Sequence, residues 1–260
     1  MKNRDQPAIP AQKHTGSLIE PGITKKRTLR SMRIAILEDE PDQAALIKSC
    51  LGAAGHDCHL FGNGKDLITT ASRESFDLFV LDWQVPGVSG EEVLRWIRQH
   101  IPAPVPVMFV TNRDAERDIV TVLEQGADEY MKKPVGQGEL LARVNALLRR
   151  AYPRQNAEAL EIEGVRFDLK NRSVAVSGTA VELTQKEFEL GLFLFQNVGR
   201  LLSRGHIQQA VWGSTVEIPS RTMDTHVSRI RTKLNLRPEF GFKLTPVYNY
   251  GYRLEQFHPA

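Results

Sequence analysis

The sequence predicts two domains. The first is a doubly wound α/β domain on a five-stranded parallel sheet. The second is a smaller α+β domain of winged helix-turn-helix type. Three observations carry this. Apolar runs alternate with helix-period patterns between residues 33 and 150. Several of those runs close on an acid, a hydroxyl or an amine. Beyond residue 158 the pattern changes to short alternating strands, three helices and a closing hairpin.

In the first domain the strand-like runs are 33–38, 57–61, 76–82, 106–111 and 128–132. Helical patterns lie between and after them, near 42–54, 64–73, 89–100, 114–125 and 137–150. Leu46, Ile47, Cys50, Leu51 and Ala54 recur at helical spacing, as do Val93, Leu94, Trp96 and Ile97. Strands separated by single helices make parallel βαβ units. Residues 1–32 hold five Pro or Gly and little periodicity, and read as a disordered basic tail ending in Lys25-Lys26-Arg27. Met32, directly before the first element, is an alternative first residue.

A polar stretch with one proline, 151–158, reads as a linker, and 159–257 as the second domain. Leu160, Ile162 and Val165, then Phe167 and Leu169, then Val174, Val176, Val181 and Leu183 outline an antiparallel meander. Thr184 caps a helix, with Glu187 completing a capping box. A second helix is expected over 203–212 from Ser203, and a third over 220–235 from Ser220. A pair of strands spans 242–254.

Composition is that of a globular protein, 41% hydrophobic and 25% charged. No apolar run approaches the ~20 residues that span a bilayer, and no signal-type segment opens the chain, so a cytoplasmic protein without a membrane partner is expected. Cys50 and Cys58 form no metal pattern and are expected to be reduced. The net charge of +3 is uneven. Residues 1–32 hold seven Lys/Arg against two acids, 33–150 thirteen against eighteen, and 151–260 fourteen against eleven. An acidic middle suits a cation, and basic flanks suit a polyanion.

The chemistry sits at the strand ends. Asp39 follows Ile34-Ala35-Ile36-Leu37-Glu38, and Asp82 follows Phe79-Val80-Leu81. Thr111 closes Val107-Met108-Phe109-Val110, and Lys133 follows Glu129-Tyr130-Met131-Lys132. A parallel sheet gathers these ends at one edge, where open α/β sheets bind ligands. Converging Glu38, Asp39 and Asp82 would repel one another unless a cation lay between them, and Mg²⁺ suits carboxylates and phosphate oxygens. Asp82 can then act as nucleophile toward a phosphoryl group, with Lys133 and Thr111 as donors to its oxygens.

Glu38-Asp39-Glu40-Pro41, Asp82-Trp83-Gln84-Val85-Pro86-Gly87, Val110-Thr111 and Lys132-Lys133-Pro134 together resemble the receiver domain of bacterial response regulators, a flavodoxin-like fold. The resemblance covers about 33–150. It implies that Asp82 takes a phosphoryl group from a sensor histidine kinase. It implies Mg²⁺ held by Asp39, Asp82 and the Gln84 carbonyl, with Glu38 acting directly or through water. It implies a cis Lys133–Pro134 peptide, and Tyr130 as an aromatic switch that follows Thr111. Glu129 with Arg143 matches a charge pair of the receiver dimer. Ile119, in place of a basic residue, leaves the acid at Glu139 without its usual partner.

In the second domain, Met223, Val227, Ile230 and Leu234 form one face of the third helix. The rest carries Arg221, Thr225, His226, Ser228, Arg229 and Thr232, and four Lys/Arg against one Asp suit a major groove. Arg229 is the first candidate for base contact, and Arg221, Arg231 and Lys233 for phosphates. Leu183-Thr184-Gln185-Lys186-Glu187-Phe188, Val211-Trp212-Gly213, Arg221-Thr222-Met223-Asp224-Thr225-His226 and Gly251-Tyr252-Arg253 resemble the effector domain of the OmpR/PhoB response regulators. The wing of that family usually carries Arg–Gly where this chain has Tyr248-Asn249, so Tyr248 or Arg253 is expected to touch backbone instead.

The resemblance implies a phosphorylation-dependent regulator of transcription that dimerises on double-stranded DNA with repeated half-sites, with RNA polymerase as a further partner. No turnover catalysis is expected. An aspartyl-nucleophile phosphatase would need a second acid two residues after the nucleophile, where Gln84 stands. A binder with a merely structural receiver would not need Glu38, Asp39, Asp82, Thr111 and Lys133 together.

Overall fold

Every residue of β1 (Arg33–Leu37) is buried, and so is every residue of β3 (Leu78–Leu81) and β4 (Val107–Thr111). Strands covered on both faces have no polar side to alternate with, which is why they read as continuous apolar runs. The computed structural model describes residues 31–156, 159–213 and 218–257. The tail expected at 1–32 lies outside the described residues except for Ser31 and Met32. Met32 is buried and part of the core.

The remaining elements of the first domain are β2 (Asp57–Phe61), β5 (Glu129–Lys132), and helices α1 (Pro41–Ala53), α2 (Gly64–Ala71), α3 (Gly90–His100), α4 (Glu116–Glu124) and α5 (Gln137–Ala151). The sheet is parallel, in the order β2-β1-β3-β4-β5. Alternate strand residues serve opposite cores. Ile34, Ile36, Leu78, Val80, Met108 and Val110 pack with α1 and α5. Ala35, Leu37, Phe79, Leu81, Val107 and Phe109 pack with residues of α2, α3 and α4. The order reverses between β1 and β3, so the crevice at their carboxyl ends is the place for a ligand.

The second domain opens with a meander, β6 (Ala159–Ile162), β7 (Val165–Asp168), β8 (Ser173–Val176) and β9 (Thr179–Val181). Then come α6 (Gln185–Gln196), β10 (Leu201–Ser203), α7 (Arg204–Trp212), α8 (Ser220–Lys233), and a hairpin of β11 (Phe242–Val247) and β12 (Gly251–Gln256). Thr184 and Glu187 form the capping box expected of them, and Ser203 caps α7. Three features differ from the expectations. Pro219, not Ser220, stands at the α8 N-cap, and no side chain caps that end. β10 is a three-residue strand that pairs with β12, too short to show a period. The expected linker is partly structured, for α5 runs through Ala151, and Tyr152 is buried.

Phe167 centres the second core, with Phe188 and Phe195 at 5.7 and 5.2 Å between ring centroids. Truncating a fully buried aromatic removes its transfer energy and leaves a cavity. Phe167→Ala is therefore expected to destabilise the second domain by about 3–5 kcal/mol. Chemical denaturation followed by far-ultraviolet circular dichroism measures this, and a loss under about 1 kcal/mol would contradict the packing described.

Candidate functional site

Asp82 lies just past β3, and its N–H still donates to the Leu37 carbonyl (2.8 Å). The ladder therefore delivers this carboxylate to the edge with its backbone already fixed. Asp82 is 6% exposed and Glu38 4%, while Asp39 is exposed. Lys133, also buried, donates from Nζ to Asp82 Oδ2 (2.7 Å) and Glu38 Oε1 (3.0 Å). The Lys133–Pro134 peptide is cis, as expected. Thr111, 1% exposed, closes β4 beside them.

Burial raises the Glu38 pKa above its ordinary value, although the Lys133 ammonium opposes this. Burial alone would lower the Lys133 pKa, yet hydrogen bonds to Asp82 and Glu38 carry it above its ordinary value. The ammonium is thus held charged as the local counterion of two buried carboxylates.

Glu38, Asp39 and Asp82 each bring an oxygen to one place, all within 4.8 Å of one another. Glu38 Oε2 is buried and accepts no hydrogen bond, although Lys133 Nζ lies 2.8 Å away. An all-oxygen set of three carboxylates converging on one place fits a hard divalent cation. The Gln84 N–H donates to Asp82 Oδ1 (3.3 Å), so that residue is turned about the same carboxylate.

Several contributors were missed by the sequence reading. A Cβ on Gly90 would meet the Asp82 carbonyl oxygen at 2.0 Å, so only glycine lets α3 start this close to the site. Gly87 has φ +76° after Pro86, the signature of a type II turn. The Arg113 guanidinium lies 4.7 Å from the Trp83 ring centroid. The Arg113 carbonyl accepts the Tyr130 hydroxyl, and its N–H donates to Thr111 Oγ1 (3.5 Å). Thr111 and Tyr130 thus hold one loop residue from two sides.

On the α4–β5–α5 face, Arg143 Nη1 donates to Glu129 (2.9 Å), and its Nε donates to Glu139 (2.8 Å). Both acids expected at a dimer contact are thus already paired within the chain. Val120 and Leu123 of α4 are 44% and 42% exposed.

In the second domain α8 presents Arg221, Thr225, Ser228, Arg229 and Thr232 to solvent. Four of the expected contacts are placed otherwise. Lys233 Nζ donates to the buried Glu187 carboxylate (2.8 Å) and to the Glu182 carbonyl (3.0 Å). Arg231 donates to the Leu244 carbonyl (3.0 Å), tying α8 to the hairpin. His226 is half-buried beside Trp212, 5.5 Å between centroids. Arg253, on the central strand, is paired with Glu255 (3.0 Å). Tyr248, by contrast, is 90% exposed at the hairpin tip. Asn249 there has φ +55°, the left-handed conformation that Asn tolerates better than most residues.

Comparison with known proteins agrees with this division. The family described as "Response regulator receiver domain" matches residues 34–145, and "Transcriptional regulatory protein, C terminal" matches 178–254. The chain is 37% identical over 226 residues to the sensory transduction protein RegX3 of Mycolicibacterium smegmatis, covering 85% of this chain and 98% of that one. It is 35% identical to the phosphate regulon transcriptional regulatory protein PhoB of Rhizobium meliloti, covering 86% and 98%. It is 37% identical to the transcriptional regulatory protein PcoR of Escherichia coli, covering 86% and 97%.

Removing the Lys133 ammonium leaves two buried carboxylates without their counterion. Lys133→Met is expected to lower stability by about 3–5 kcal/mol in metal-free buffer. Added Mg²⁺ should recover part of that loss, because a cation replaces the missing charge. Thermal melts with and without Mg²⁺ check both, and a variant as stable as wild type without metal would contradict the account.

Proposed function

The chain belongs to the two-component response regulators that join a receiver to a C-terminal DNA-binding domain, and from that premise we propose that Asp82 is its phosphoacceptor. One observation carries this reading, the buried Lys133 ammonium 2.7 Å from Asp82 Oδ2 beside a three-carboxylate cluster. An Asp82 oxygen attacks phosphorus of a phosphohistidine on a sensor histidine kinase. A P–O bond forms, the P–N bond breaks, and the leaving imidazole nitrogen keeps its electron pair. Lys133 moves from a carboxylate counterion to a partner of the phosphoryl oxygens. Mg²⁺, held by Glu38, Asp39, Asp82 and the Gln84 carbonyl, would neutralise charge on the phosphoryl group in transfer.

Thr111 then turns its hydroxyl to a phosphoryl oxygen and releases the Arg113 N–H. Tyr130, bonded to the Arg113 carbonyl, follows the same loop. The phosphoryl group can shift this loop only by interacting differently with its two positions. The response is formation of a homodimer through the face around Val120 and Leu123, with Glu129, Glu139 and Arg143 at its border. Paired effector domains then bind repeated half-sites on double-stranded DNA. Arg229 reads base edges, Arg221 holds phosphate, Thr225, His226 and Ser228 border the same face, and Tyr248 contacts the backbone. RNA polymerase is the proposed downstream partner. No helix among the described residues is long and apolar enough to cross a membrane, and we assign the protein to the cytoplasm.

Two outcomes test this. With a small phosphodonor and Mg²⁺, intact-mass measurement should show one added phosphoryl group on wild type and none on Asp82→Ala. An equal gain on both would sink the assignment. For DNA, Arg229→Ala should cost about 1–3 kcal/mol at the operator and relax selectivity at one position. Genome-wide footprints identical to wild type would remove its base-reading role.

A further inference from the structure

The helix offered to DNA is short of free cations, and a run of them stands elsewhere in the chain. On α8, Lys233 lies 2.8 Å and Arg229 4.0 Å from the buried Glu187 carboxylate, and Arg231 is turned onto the Leu244 carbonyl. Residues 21–31 carry Lys25, Lys26, Arg27 and Arg30 and no acid. They precede the matched receiver, which begins at residue 34. The structure fixes where they are tethered. Met32 is 3% exposed, its N–H donates to His56 Nδ1 (3.4 Å), and its carbonyl accepts from the Asp57 N–H (2.9 Å). Ser31 lines a cleft of about 90 Å³ with Arg33 of the receiver and His206, Gln209 and Ala210 of α7. In a helix-turn-helix, that helix crosses the DNA backbone. The basic run therefore joins the folded chain beside the helix that lies over phosphates.

Two other partners for such a run fit these observations less well. One is an acid of the chain itself. Three carboxylates surround Arg33, and each is engaged. Glu74 lies 2.6 Å from Arg33 Nη1, and Asp57, the strand partner of Arg33, lies 2.5 Å from His59 Nε2. Asp77 accepts from the Arg33 N–H (2.9 Å) and from Arg200 Nη1 (3.0 Å). The other is an anionic lipid surface. That needs apolar side chains among the cations, and residues 21–31 offer only Ile23 and Leu29 as large ones.

We propose that Lys25, Lys26, Arg27 and Arg30 form a nucleic-acid arm that holds backbone phosphates of the duplex docked on the effector domain. The proposal rests on that domain's binding of double-stranded DNA, and adds to it a second grip that ignores sequence. Lys25 is six residues before Ser31, so all four cations lie within about 20 Å of the tether, at ~3.3–3.6 Å per residue. A duplex carries one charge per about 1.7 Å of its axis, so that reach covers several phosphates. A duplex seated on α7 and α8 meets the arm as an intramolecular partner, at high effective concentration. Contacts to phosphate position the protein and carry no base readout. The arm thus raises affinity for every sequence alike, and makes binding steeper in salt than α8 alone would make it.

The test neutralises the arm in the full-length chain without shortening it, by Lys25→Gln, Lys26→Gln, Arg27→Gln and Arg30→Gln together. All four precede Met32, the first core residue among those described, so neither core is altered. The probe is a fluorescent mixed-sequence duplex of about three helical turns, titrated between about 50 and 200 mM salt. Each lost phosphate contact lowers the slope of log affinity against log salt by about 0.9. The variant is expected to lose about 2–3.6 from that slope, and to bind about tenfold or more weaker near 100 mM salt. A slope and affinity equal to wild type overturn the arm while leaving the effector domain a DNA binder. Tighter binding by the variant also overturns it, and moves the cations onto the chain's own acids. A wild type that binds no duplex at any salt overturns the DNA-binding reading of the effector domain, and the arm with it. Vesicles with and without anionic phospholipid are run beside the duplex. An unchanged DNA slope with lost vesicle binding would assign the run to a lipid surface instead. No phosphodonor is used, so the result is independent of whether Asp82 accepts phosphate.

Discussion

The rest of the structure depends on one ammonium group buried among carboxylates. Lys133 reaches Asp82 and Glu38 from the end of β5, and those acids stand at the ends of β3 and β1. Each charge alone would be costly to bury, and together they are tolerated. The cluster exists only because a parallel sheet delivers three strand ends to one edge. Parallel strands in turn need helices on both faces, which accounts for most of the first domain. The site and the architecture are thus one constraint seen at two scales.

Much of this was legible in the sequence because strand ends are local. An apolar run followed by Asp, Thr or Lys-Pro can be read without knowing what lies across the sheet. The Asp77 contact could not be read that way. Arg200 is far from it in the chain, and neither residue sits in a pattern that names the other. An acid placed just before a buried strand, in Phe76-Asp77-Leu78, was the available signal. It is the mirror image of the Asp82 signal at the strand's other end. Gly90 escaped for a related reason, since its role is a close approach between a helix start and a loop. On α8, residue type announced basicity but not pairing, so Lys233 and Arg231 read as free when Glu187 and Leu244 already hold them.

The capping box of α6 shows how one residue can serve two levels. Glu187 caps its own helix and, at 1% exposure, anchors Lys233 of α8. Burial raises its pKa, but the Lys233 and Thr184 hydrogen bonds outweigh that and hold it below the ordinary value. The helix offered to DNA is therefore seated on a buried charge of the helix behind it, as well as on Met223, Val227 and Ile230. Its direction is set by that core and by that buried charge.

That seating alters how the second domain should respond to ions in solution. Each phosphate neutralised by a protein cation releases condensed counterions, and the logarithm of affinity falls by about 0.9 per contact for each tenfold rise in salt. Counted from sequence, α8 offers four cations. Counted from structure, the buried Glu187 carboxylate lies 2.8 Å from Lys233 and 4.0 Å from Arg229, and Arg231 is turned onto a carbonyl, which leaves Arg221 as the fully open cation of this helix. A domain that looks strongly basic along one helix should thus depend on ionic strength only weakly from that helix. More of its grip must come from the uncharged part of the interface, including the aromatic ring at the wing tip.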